Sequence, residues 1–381
     1  MWVSFLSVFL FYTGYFLVLS FFYRASRQNK KPSEFFYPTV SLIVPIFNEE
    51  RVIGEKIQNV EELSYPNEKI EAIFVDGHSS DKTTEIIKNR MKICGKPIRL
   101  IEQETRQGYT RGIIEGILNS KGEVIVATDA AAYYYPQAIE HLVKHFRDSK
   151  VGAVTGKEIV VGAEGKLGPR LEESYRFFYD FMREAETEID STPDSKGEIL
   201  AVRKEICINL IPSLQRSSRA SFDSCVPYQA KLMGYRTVYD PEAKYYESAP
   251  ASFRDRMIQQ IRRGTVLVGA LLLFKRIILN KKHGKFGLFI LPVHFIMQCL
   301  LPWIFLLGAS LLLILTVLDP MKTMILWILA VGAVIASRKS RVFLISFVQS
   351  QMSLAIAIFR VAARRDSLFI DTIKSTRKGT F

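Results

Sequence analysis

Three apolar segments of this chain each end in polar and acidic residues, and they constrain the fold more than any other feature. The segments are 41–50, 73–81 and 124–131, and each begins as a run of β-branched and apolar residues. Such runs predict buried strands. In an open α/β sheet, ligands bind at the carboxyl ends of the strands. Asp, Asn and Ser side chains delivered to that edge therefore predict a nucleotide site.

The segments belong to a longer alternation of strands and helices from residue 32 to about residue 247. This rhythm predicts an α/β domain with a mostly parallel sheet. The expected strands are 41–46, 70–75, 98–102, 123–128, 153–160, 197–203 and 236–240. The expected helices are 49–62, 81–93, 108–120, 136–148, 171–190 and 221–233. Ser80 or Asp81 is the expected N-cap of the second of these helices.

The amino-terminal segment predicts a membrane anchor. Residues 2–23 are apolar throughout, long enough to cross roughly 30 Å of hydrocarbon. Arg24, Arg27, Lys30 and Lys31 follow at once. A cleaved signal peptide has its charges before the apolar run, so this order predicts a signal-anchor. Because basic residues favour the inner side, residue 24 onward is expected in the cytoplasm.

The carboxyl-terminal third is apolar again. Residues 264–279 predict an interfacial helix, and three apolar runs follow at 287–318, 321–337 and 342–359. If the third run crossed, the basic tail would end outside, against the positive-inside rule. Either that run lies at the interface or 287–318 crosses twice, and the sequence leaves both open. The polar residues of these runs that could line a channel are His294, Gln298, Gln349 and Gln351.

The net charge of +13 indicates a membrane surface as a partner and no nucleic acid. The basic residues are concentrated beside the apolar runs, a distribution suited to anionic lipid. The four cysteines have no CxxC spacing and predict ordinary reduced thiols. The expected domains are an anchor (1–23), a cytoplasmic catalytic domain (32–263), an interfacial helix with a basic linker (264–286), transmembrane or interfacial helices (287–360) and a basic cytoplasmic tail (361–381).

Five short motifs carry a family resemblance, and they occur in the family's order. They are Pro45-Ile-Phe-Asn-Glu-Glu50, Val75-Asp-Gly-His-Ser-Ser-Asp81, Asp129-Ala-Ala131, Ser221-Phe-Asp223 and Gln260-Ile-Arg-Arg-Gly264. They resemble the motifs of membrane-integrated inverting glycosyltransferases of family 2, the branch that includes cellulose, chitin and hyaluronan synthases. The resemblance implies a GT-A fold, a Rossmann-like nucleotide-diphospho-sugar transferase domain, with N- and C-terminal transmembrane helices.

The resemblance implies a nucleotide site at the strand ends. Its expected members are Pro45, Asn48, Glu49, Asp76 and Asp129. The second motif of the family has two adjacent acids, whereas this chain has glycine after its first acid. Recognition of the base is therefore expected to differ.

The third motif stands where the family has D-x-D, which implies a Mg²⁺ or Mn²⁺ ion on the diphosphate. Asp129 is the expected metal ligand, but Ala131 occupies the place of the second carboxylate. A hard divalent cation prefers several oxygen ligands, so metal binding is expected to be weakened. The substitution is either a variant with one carboxylate or an inactivating change.

The last two motifs imply the catalytic base and the diphosphate or acceptor contacts. Asp223 is the expected general base, with helix N-capping as its alternative role. Gln260, Arg262 and Arg263 are expected at the diphosphate or acceptor, because an arginine fork suits a diphosphate. Gly264 replaces the family's Trp, which helps to seat the acceptor sugar in polymerising members.

The expected protein is a multi-pass membrane glycosyltransferase with a cytoplasmic catalytic domain. It would transfer a sugar from a UDP- or GDP-sugar to a lipid-linked or glycan acceptor at the membrane. A processive polysaccharide synthase is the alternative within the same enzyme class. A degenerate, non-catalytic nucleotide-binding membrane protein is the alternative outside it, because of Ala131 and Gly264.

Overall fold

The computed structural model describes residues 2–26, 36–161, 167–217, 220–248 and 252–363. Its strands are β1 (Val40–Ile46), β2 (Ile70–Asp76), β3 (Ile98–Glu102), β4 (Val124–Ala127), β5 (Tyr133–Tyr134), β6 (Val151–Val161), β7 (Leu200–Arg203) and β8 (Arg236–Ser248). Its α-helices are α1 (Trp2–Ser26), α2 (Ile53–Glu61), α3 (Thr83–Met91), α4 (Tyr109–Leu118), α5 (Ala138–Val143), α6 (Leu167–Ile189), α7 (Lys204–Arg216), α8 (Phe222–Leu232), α9 (Phe253–Leu273), α10 (Leu291–Phe295), α11 (Leu301–Leu318), α12 (Pro320–Ala336) and α13 (Arg338–Ala362).

One sheet in the order β3-β2-β1-β4-β7-β6-β8-β5 organises the soluble part. The first four strands of that order are parallel, with Ile46 opposite Asp76 at the carboxyl end of β1 and β2. β7 runs antiparallel to both of its neighbours, whereas β6 and β8 are parallel to each other. The expected parallel sheet is thus correct for its first half, and the strand β7 reverses the direction.

The sheet is buried on both faces, because successive side chains of a strand point to opposite sides. In β1, Leu42 and Val44 belong to one core cluster and Ile43 belongs to the other. The cluster around Leu42 includes α2 and α5, and the cluster around Ile43 includes α4, α7 and α8. Helices on both faces leave the carboxyl ends of the parallel strands as the open edge.

Several element boundaries differ from the sequence expectation. The helix expected at 49–62 begins at Ile53, and the helix expected from residue 81 begins at Thr83 after Lys82 as its N-cap. The final strand continues to Ser248, well beyond the expected end at residue 240. The residues of α7 and β5 were not expected as elements.

The charged stretch 253–263 and the apolar stretch after it form one helix, α9. The interfacial helix expected at 264–279 thus begins at Phe253, and the expected domain boundary between residues 263 and 264 lies inside it. The α9 residues Gly264 and Val268 are buried, and Gly264 faces Leu354 and Ala357 of α13. The catalytic part and the apolar part are joined by a continuous rigid element.

Three helical segments are long and apolar enough to cross a membrane: Val3–Arg24, Phe286–Leu318 and Arg341–Ala362. The second is one continuous helical run in which Phe286–Ile290 and Ile296–Leu300 are π-helical. It does not fold back on itself, so the expected alternative of two crossings in 287–318 is wrong. Residues 27–31 of the first basic run and residues 364–381 of the basic tail lie outside the described residues.

Candidate active site

The loops after β1 and β2 are locked to each other. Asn48 has φ 53°, in the left-handed region that asparagine tolerates better than most residues. Its backbone N–H donates to Ser79 Oγ at 2.9 Å, and its side-chain oxygen accepts from the backbone N–H of Ser80 at 2.8 Å. The backbone N–H of Glu49 donates to Thr83 Oγ1 at 2.7 Å. The two predicted nucleotide loops therefore form one rigid corner at the sheet edge.

Asp76 is buried within this corner and maintains its shape. One carboxylate oxygen accepts from the backbone N–H of Ser79 at 3.0 Å, and the other accepts from Ser79 Oγ at 2.5 Å. His78 has φ 67°, a conformation that favours glycine, which marks it as a turn residue of the loop. Glu49 is also buried, with 6% of its surface exposed. Pro45 lies in β1 opposite Val75.

The loop after β4 presents Asp129 above a buried lysine. Lys56 of α2 has 1% of its surface exposed and donates to Thr128 Oγ1 at 3.0 Å and to the Ala132 carbonyl at 2.5 Å. These bonds fix the loop on both sides of Asp129, which is half-buried. Burial lowers the pKa of Lys56 to about 7, although the charges of Asp129 and Glu247 oppose the shift. Sequence reasoning missed Lys56, because this residue lies under the loop and outside the five motifs.

Asp223 lies in the first turn of α8 and leaves the capping position to Ser221. The backbone N–H of Ser221 donates to Ser224 Oγ at 3.1 Å, as expected of an N-cap residue. The backbone carbonyl of Asp223 accepts from Ser195 Oγ at 2.6 Å. The alternative role of Asp223 as the N-cap is therefore wrong, and its carboxyl group instead forms a hydrogen bond with the Ser221 side chain.

Two glutamates join this site that sequence reasoning missed. Glu198 lies two residues before the start of β7, and Glu247 lies near the carboxyl end of β8. Since β7 is antiparallel to β4, the start of β7 lies at the edge where β4 ends. An antiparallel assignment of 197–203 would have found Glu198. Glu247 was missed because β8 was expected to end at residue 240.

The two arginines of the last motif approach the carboxylates from α9. Arg263 pairs with Glu198 at 3.4 Å, and the charge of Arg262 acts on Asp129. Gln260 has 8% of its surface exposed, its amide oxygen accepts from the Arg256 guanidinium at 2.8 Å, and its amide lies 3.4 Å from Ser353 Oγ of α13. The structure thus brings both predicted arginines to the site, whereas Gln260 packs against the apolar helices.

The carboxylates shift one another's protonation. Burial and the charge of Glu198 raise the pKa of Asp129 to about 7, and Arg262 opposes this shift. Burial raises the pKa of Asp223 to about 6, against the lowering effect of its hydrogen bond with Ser221. Burial acts to raise the pKa of Glu198 as well, but Arg263 outweighs burial and the net shift is downward. Burial and Glu198 together raise the pKa of Glu247.

Tyr109 and Gly197 complete the wall around Asp223. A Cβ on Gly197 would lie 3.2 Å from the Tyr109 hydroxyl oxygen and 3.3 Å from Cγ of Asp223. Any larger residue at position 197 would therefore crowd Asp223 and Tyr109. Burial and then the charges of Asp129, Asp223 and Glu198 raise the pKa of the Tyr109 hydroxyl. One tyrosine thus lies within reach of the carboxylates from β4, β7 and α8.

The site residues fit a divalent cation only if a bound diphosphate supplies further ligands to the same ion. Among the described residues there is no group of three or more His, Cys, Asp or Glu side chains that could hold a metal ion. Asp129 is nevertheless a half-buried carboxylate repelled by Glu198, a setting that a nearby cation would relieve. Its oxygen donors also suit Mg²⁺ or Mn²⁺.

Comparison with known proteins identifies the domain that carries this site. The sequence model of glycosyl transferase family 2 matches residues 41–210. Residues 41–210 therefore correspond to a family 2 glycosyltransferase domain. The matched residues include both nucleotide loops, the Asp129 loop and Glu198. Asp223 and the arginines of α9 follow the matched part of the family 2 domain.

Named relatives of the family 2 domain act on lipids and on polysaccharides. A beta-monoglucosyldiacylglycerol synthase of Trichormus variabilis is 31% identical over 163 residues, which cover 42% of this chain and 35% of that protein. A poly-beta-1,6-N-acetyl-D-glucosamine synthase of Staphylococcus aureus is 24% identical over 299 residues, 76% of this chain and 70% of that protein. The chain therefore spans about a third of the length of the first relative.

A solved structure with the same fold covers nearly the whole chain. Mannosyltransferase PcManGT from Pyrobaculum calidifontis, solved in complex with GDP-Man and Mn²⁺, has a TM-score of 0.75 and 24% sequence identity. The match covers 94% of this chain and 98% of that one. The family 2 domain thus has the GT-A fold, and the likeness extends into the apolar helices.

Proposed function

We propose that this protein is a membrane-bound inverting glycosyltransferase with Asp223 as its general base. The donor is a UDP- or GDP-sugar, and the acceptor is a hydroxyl group of a membrane-associated, lipid-linked molecule. The observation that carries the proposal is the shared electrostatic site of Asp129 and Asp223. They come from different elements, and the charge of Asp223 raises the pKa of Asp129. Asp129 on the donor side and Asp223 on the acceptor side belong to one cluster, which supports direct transfer of the sugar from donor to acceptor.

The proposed reaction is a single displacement. The acceptor hydroxyl oxygen attacks the anomeric carbon while Asp223 takes the hydroxyl proton, and the bond from that carbon to the diphosphate oxygen breaks. The nucleoside diphosphate leaves with the bonding electron pair, so the configuration at carbon inverts. Arg262 and Arg263 stabilise the charge that develops on the leaving group.

The nucleotide end of the donor is proposed to lie against the corner formed by Asn48 and Asp76. Asp129 would hold a Mg²⁺ or Mn²⁺ ion jointly with the diphosphate, and the ion would supply neutralisation of the leaving group's charge. Lys56 holds the Asp129 loop in place from below. With one carboxylate on that loop, the proposed ion binds more weakly than in a D-x-D site.

The long apolar helices support the proposal of a membrane-associated acceptor. Three segments are long and apolar enough to span a bilayer, and α9 connects Arg262 and Arg263 to them without a break. The proposed orientation keeps residues 32–263 and the tail in the cytoplasm, where nucleotide sugars are made.

The polar residues of the apolar helices do not support the processive synthase. His294 bonds to Glu186, and Gln351 donates to the Tyr12 hydroxyl. Gln349 bonds to Arg256, and Gln298 donates to His294. All four are buried between helices, so their side chains are engaged in packing contacts. Single transfer is the better-supported proposal.

Release of nucleoside diphosphate tests the proposal. The full chain in liposomes would be given UDP- and GDP-sugars with Mn²⁺ or Mg²⁺ and a lipid extract as acceptor. Asp223→Asn should lower turnover by about 10²–10⁴-fold, the usual contribution of a general base. Asp148→Asn, an exposed site remote from the cluster, is the matched control. Equal turnover by the Asp223→Asn variant and the unaltered protein would refute the role of Asp223.

The degenerate nucleotide-binding protein is a second candidate, favoured by Ala131 alone. This function predicts that nucleotide sugars bind to the protein but that no nucleoside diphosphate is released from any of them. Restored release in Ala131→Asp would identify an inactivated enzyme. Binding without release in both forms would support the non-catalytic function.

A further inference from the structure

A buried carboxylate outside the active site joins three distant parts of the chain. Glu186 of α6 is fully buried, and its Oε1 accepts from the Tyr15 hydroxyl at 2.7 Å. The same oxygen lies 2.6 Å from Nε2 of His294, which must donate if the carboxylate is ionised. The second oxygen accepts from Thr192 Oγ1 at 3.1 Å. Glu186 therefore ties α1 and the 286–318 helix to the chain that follows α6.

That following chain, residues 190–198, leads directly to the candidate base. The backbone N–H of Asp194 donates to Thr192 Oγ1 at 3.3 Å. Ser195 Oγ then donates to the backbone carbonyl of Asp223 at 2.6 Å. The segment ends at Glu198, which pairs with Arg263. Hydrogen bonds, together with the backbone from Thr192 to Ser195, thus link Glu186 to the first turn of α8.

A second tie holds the other end of α8 to the same segment. Asp190 accepts from Lys231 Nζ at 2.5 Å, and it also accepts from the backbone N–H of Phe286 at 3.0 Å. Lys231 lies in the last turn of α8, whereas Asp223 lies in the first. Residues 190–198 therefore contact both ends of the helix that carries the base, and Phe286 begins the long apolar helix.

We propose that Glu186 is a positioning residue through which α1 and the 286–318 helix fix the place of Asp223. The inference rests on the proposed role of Asp223 as the base. Removal of the carboxylate charge would leave the buried Tyr15 and His294 donors with a poorer acceptor, which is costly in a dry site. The side chains around Glu186 would then shift, and the shift would pass through Thr192 to Ser195. Because a shift of about 1 Å at a reacting group can cost 10²-fold in rate, a modest displacement is sufficient.

Steady-state kinetics of three variants test this route. Glu186→Gln, Thr192→Val and Ser195→Ala should each lower kcat for nucleoside diphosphate release by about tenfold, within the range for misplaced catalytic groups. The KM for the donor should change less than twofold, because the nucleotide corner is untouched. Ser346→Ala is the matched control, since Ser346 is buried and joins α13 to the Leu171 carbonyl of α6 without touching residues 190–198.

A double variant separates a shared route from independent damage. If Glu186 acts through Ser195, Glu186→Gln with Ser195→Ala should lose no more activity than the worse single variant. Losses that multiply, or a donor KM that rises in step with the fall in kcat, would overturn the proposal. Tyr15→Phe removes a single hydroxyl group and should give a smaller loss of the same kind if Glu186→Gln fails to fold.

Hydrogen exchange tests the link without any turnover. Amides of residues 222–226 should exchange faster in Glu186→Gln than in the unaltered protein, whereas Ser346→Ala should leave them unchanged. Unchanged exchange would overturn the positioning role. Absence of product from the unaltered protein would count against the proposed function instead, so the two failures are distinguishable.

Discussion

At the residue scale, the candidate site lacks the second carboxylate of a D-x-D motif and keeps one acid on the donor side and one on the acceptor side. Ala131 removes a second acid from the β4 loop, and the protein retains Asp129 and Asp223 as half-buried acids. Burial raises the pKa of each, to about 7 and about 6. Their protonation therefore changes within the physiological range, which makes the site sensitive to pH and to cations.

Ala131→Asp should strengthen binding of Mn²⁺ in the presence of donor. A second carboxylate adds an oxygen ligand and a negative charge to the loop that Lys56 holds. We expect at least a tenfold lower dissociation constant for Mn²⁺, measured by titration with the metal signal in paramagnetic resonance. Ala130→Ser, a neighbouring change without a charge, is the control. An unchanged metal affinity would show that residue 131 does not face the diphosphate.

Asp223 should set the acid limit of activity. Its pKa is raised to about 6, and a base must be ionised to accept a proton. We therefore expect kcat/KM to fall about tenfold per pH unit below that value, whereas Asp223→Asn should show no such limb. If the same fall in kcat/KM at acid pH persists in Asp223→Asn, another group is responsible for it.

The same shift should appear in folding stability. Because the folded pKa lies above the ordinary value of 3.8, the folded state holds the proton more tightly, and ionisation of Asp223 reduces stability as pH rises. Asp223→Asn cannot ionise, so its thermal midpoint in detergent should exceed that of the unaltered protein by more at pH 8 than at pH 4.5. Equal differences at both pH values would contradict the shift.

The sequence located the residues that follow parallel strands and missed those that depend on strand direction. Asp76 and Asp129 were found because an apolar run ends at each. Glu198 was missed because the direction of β7 was not predicted. Only a strand antiparallel to β4 brings the residues at its start to the open edge of the sheet. Lys56 was missed because its environment depends on how α2 packs against the β4 loop. Their roles remain predictions.

At the element scale, local pattern identified the early strands well and the late helices less well. β1 to β4 were expected within a residue or two, since each is a short buried run with clear ends. α9 was divided in error, because its charged first half and apolar second half look like different elements. Only packing of α9 against α13 shows that one helix serves both.

Contact between α4 and β1 gives a test of this packing. A Cβ on Gly116 would lie 2.4 Å from Ile43 Cγ2, whereas a Cβ on Gly54 of α2 would meet nothing within 4 Å. Gly116→Ala should lower the free energy of unfolding by about 1–3 kcal/mol through overpacking. Gly54→Ala should be neutral or stabilising by up to about 1 kcal/mol. Thermal unfolding in detergent measures both, and equal effects would contradict the packing.

At the scale of the whole molecule, one soluble domain with the GT-A fold is fixed to a set of apolar helices. α1 packs on α6 through aromatic contacts such as Phe16 with Phe181, whose ring centres are 4.7 Å apart. Length and hydropathy predicted the apolar segments, but they left open whether 287–318 crosses once or twice. The last part of that helix, α11, contacts α1 and α13, and no local sequence pattern contains such contacts.

Labelling of single cysteines tests the proposed orientation. In a background without the four native cysteines, Met321→Cys lies at the exposed start of α12, and Lys281→Cys lies in the basic stretch before the long helix. A membrane-impermeant maleimide should label position 321 in intact cells and position 281 only after permeabilisation. The reverse pattern would place the catalytic domain outside.

The close contact between α9 and α13 limits how this protein can change over evolutionary time. A Cβ at Gly264 would lie 3.0 Å from that of Ala357 and 3.3 Å from Leu354 Cδ2. A larger side chain arising there first would crowd the two helices. Enlargement of position 264 is therefore open only if α13 changes beforehand, so the order of substitutions, and not their number, is the barrier.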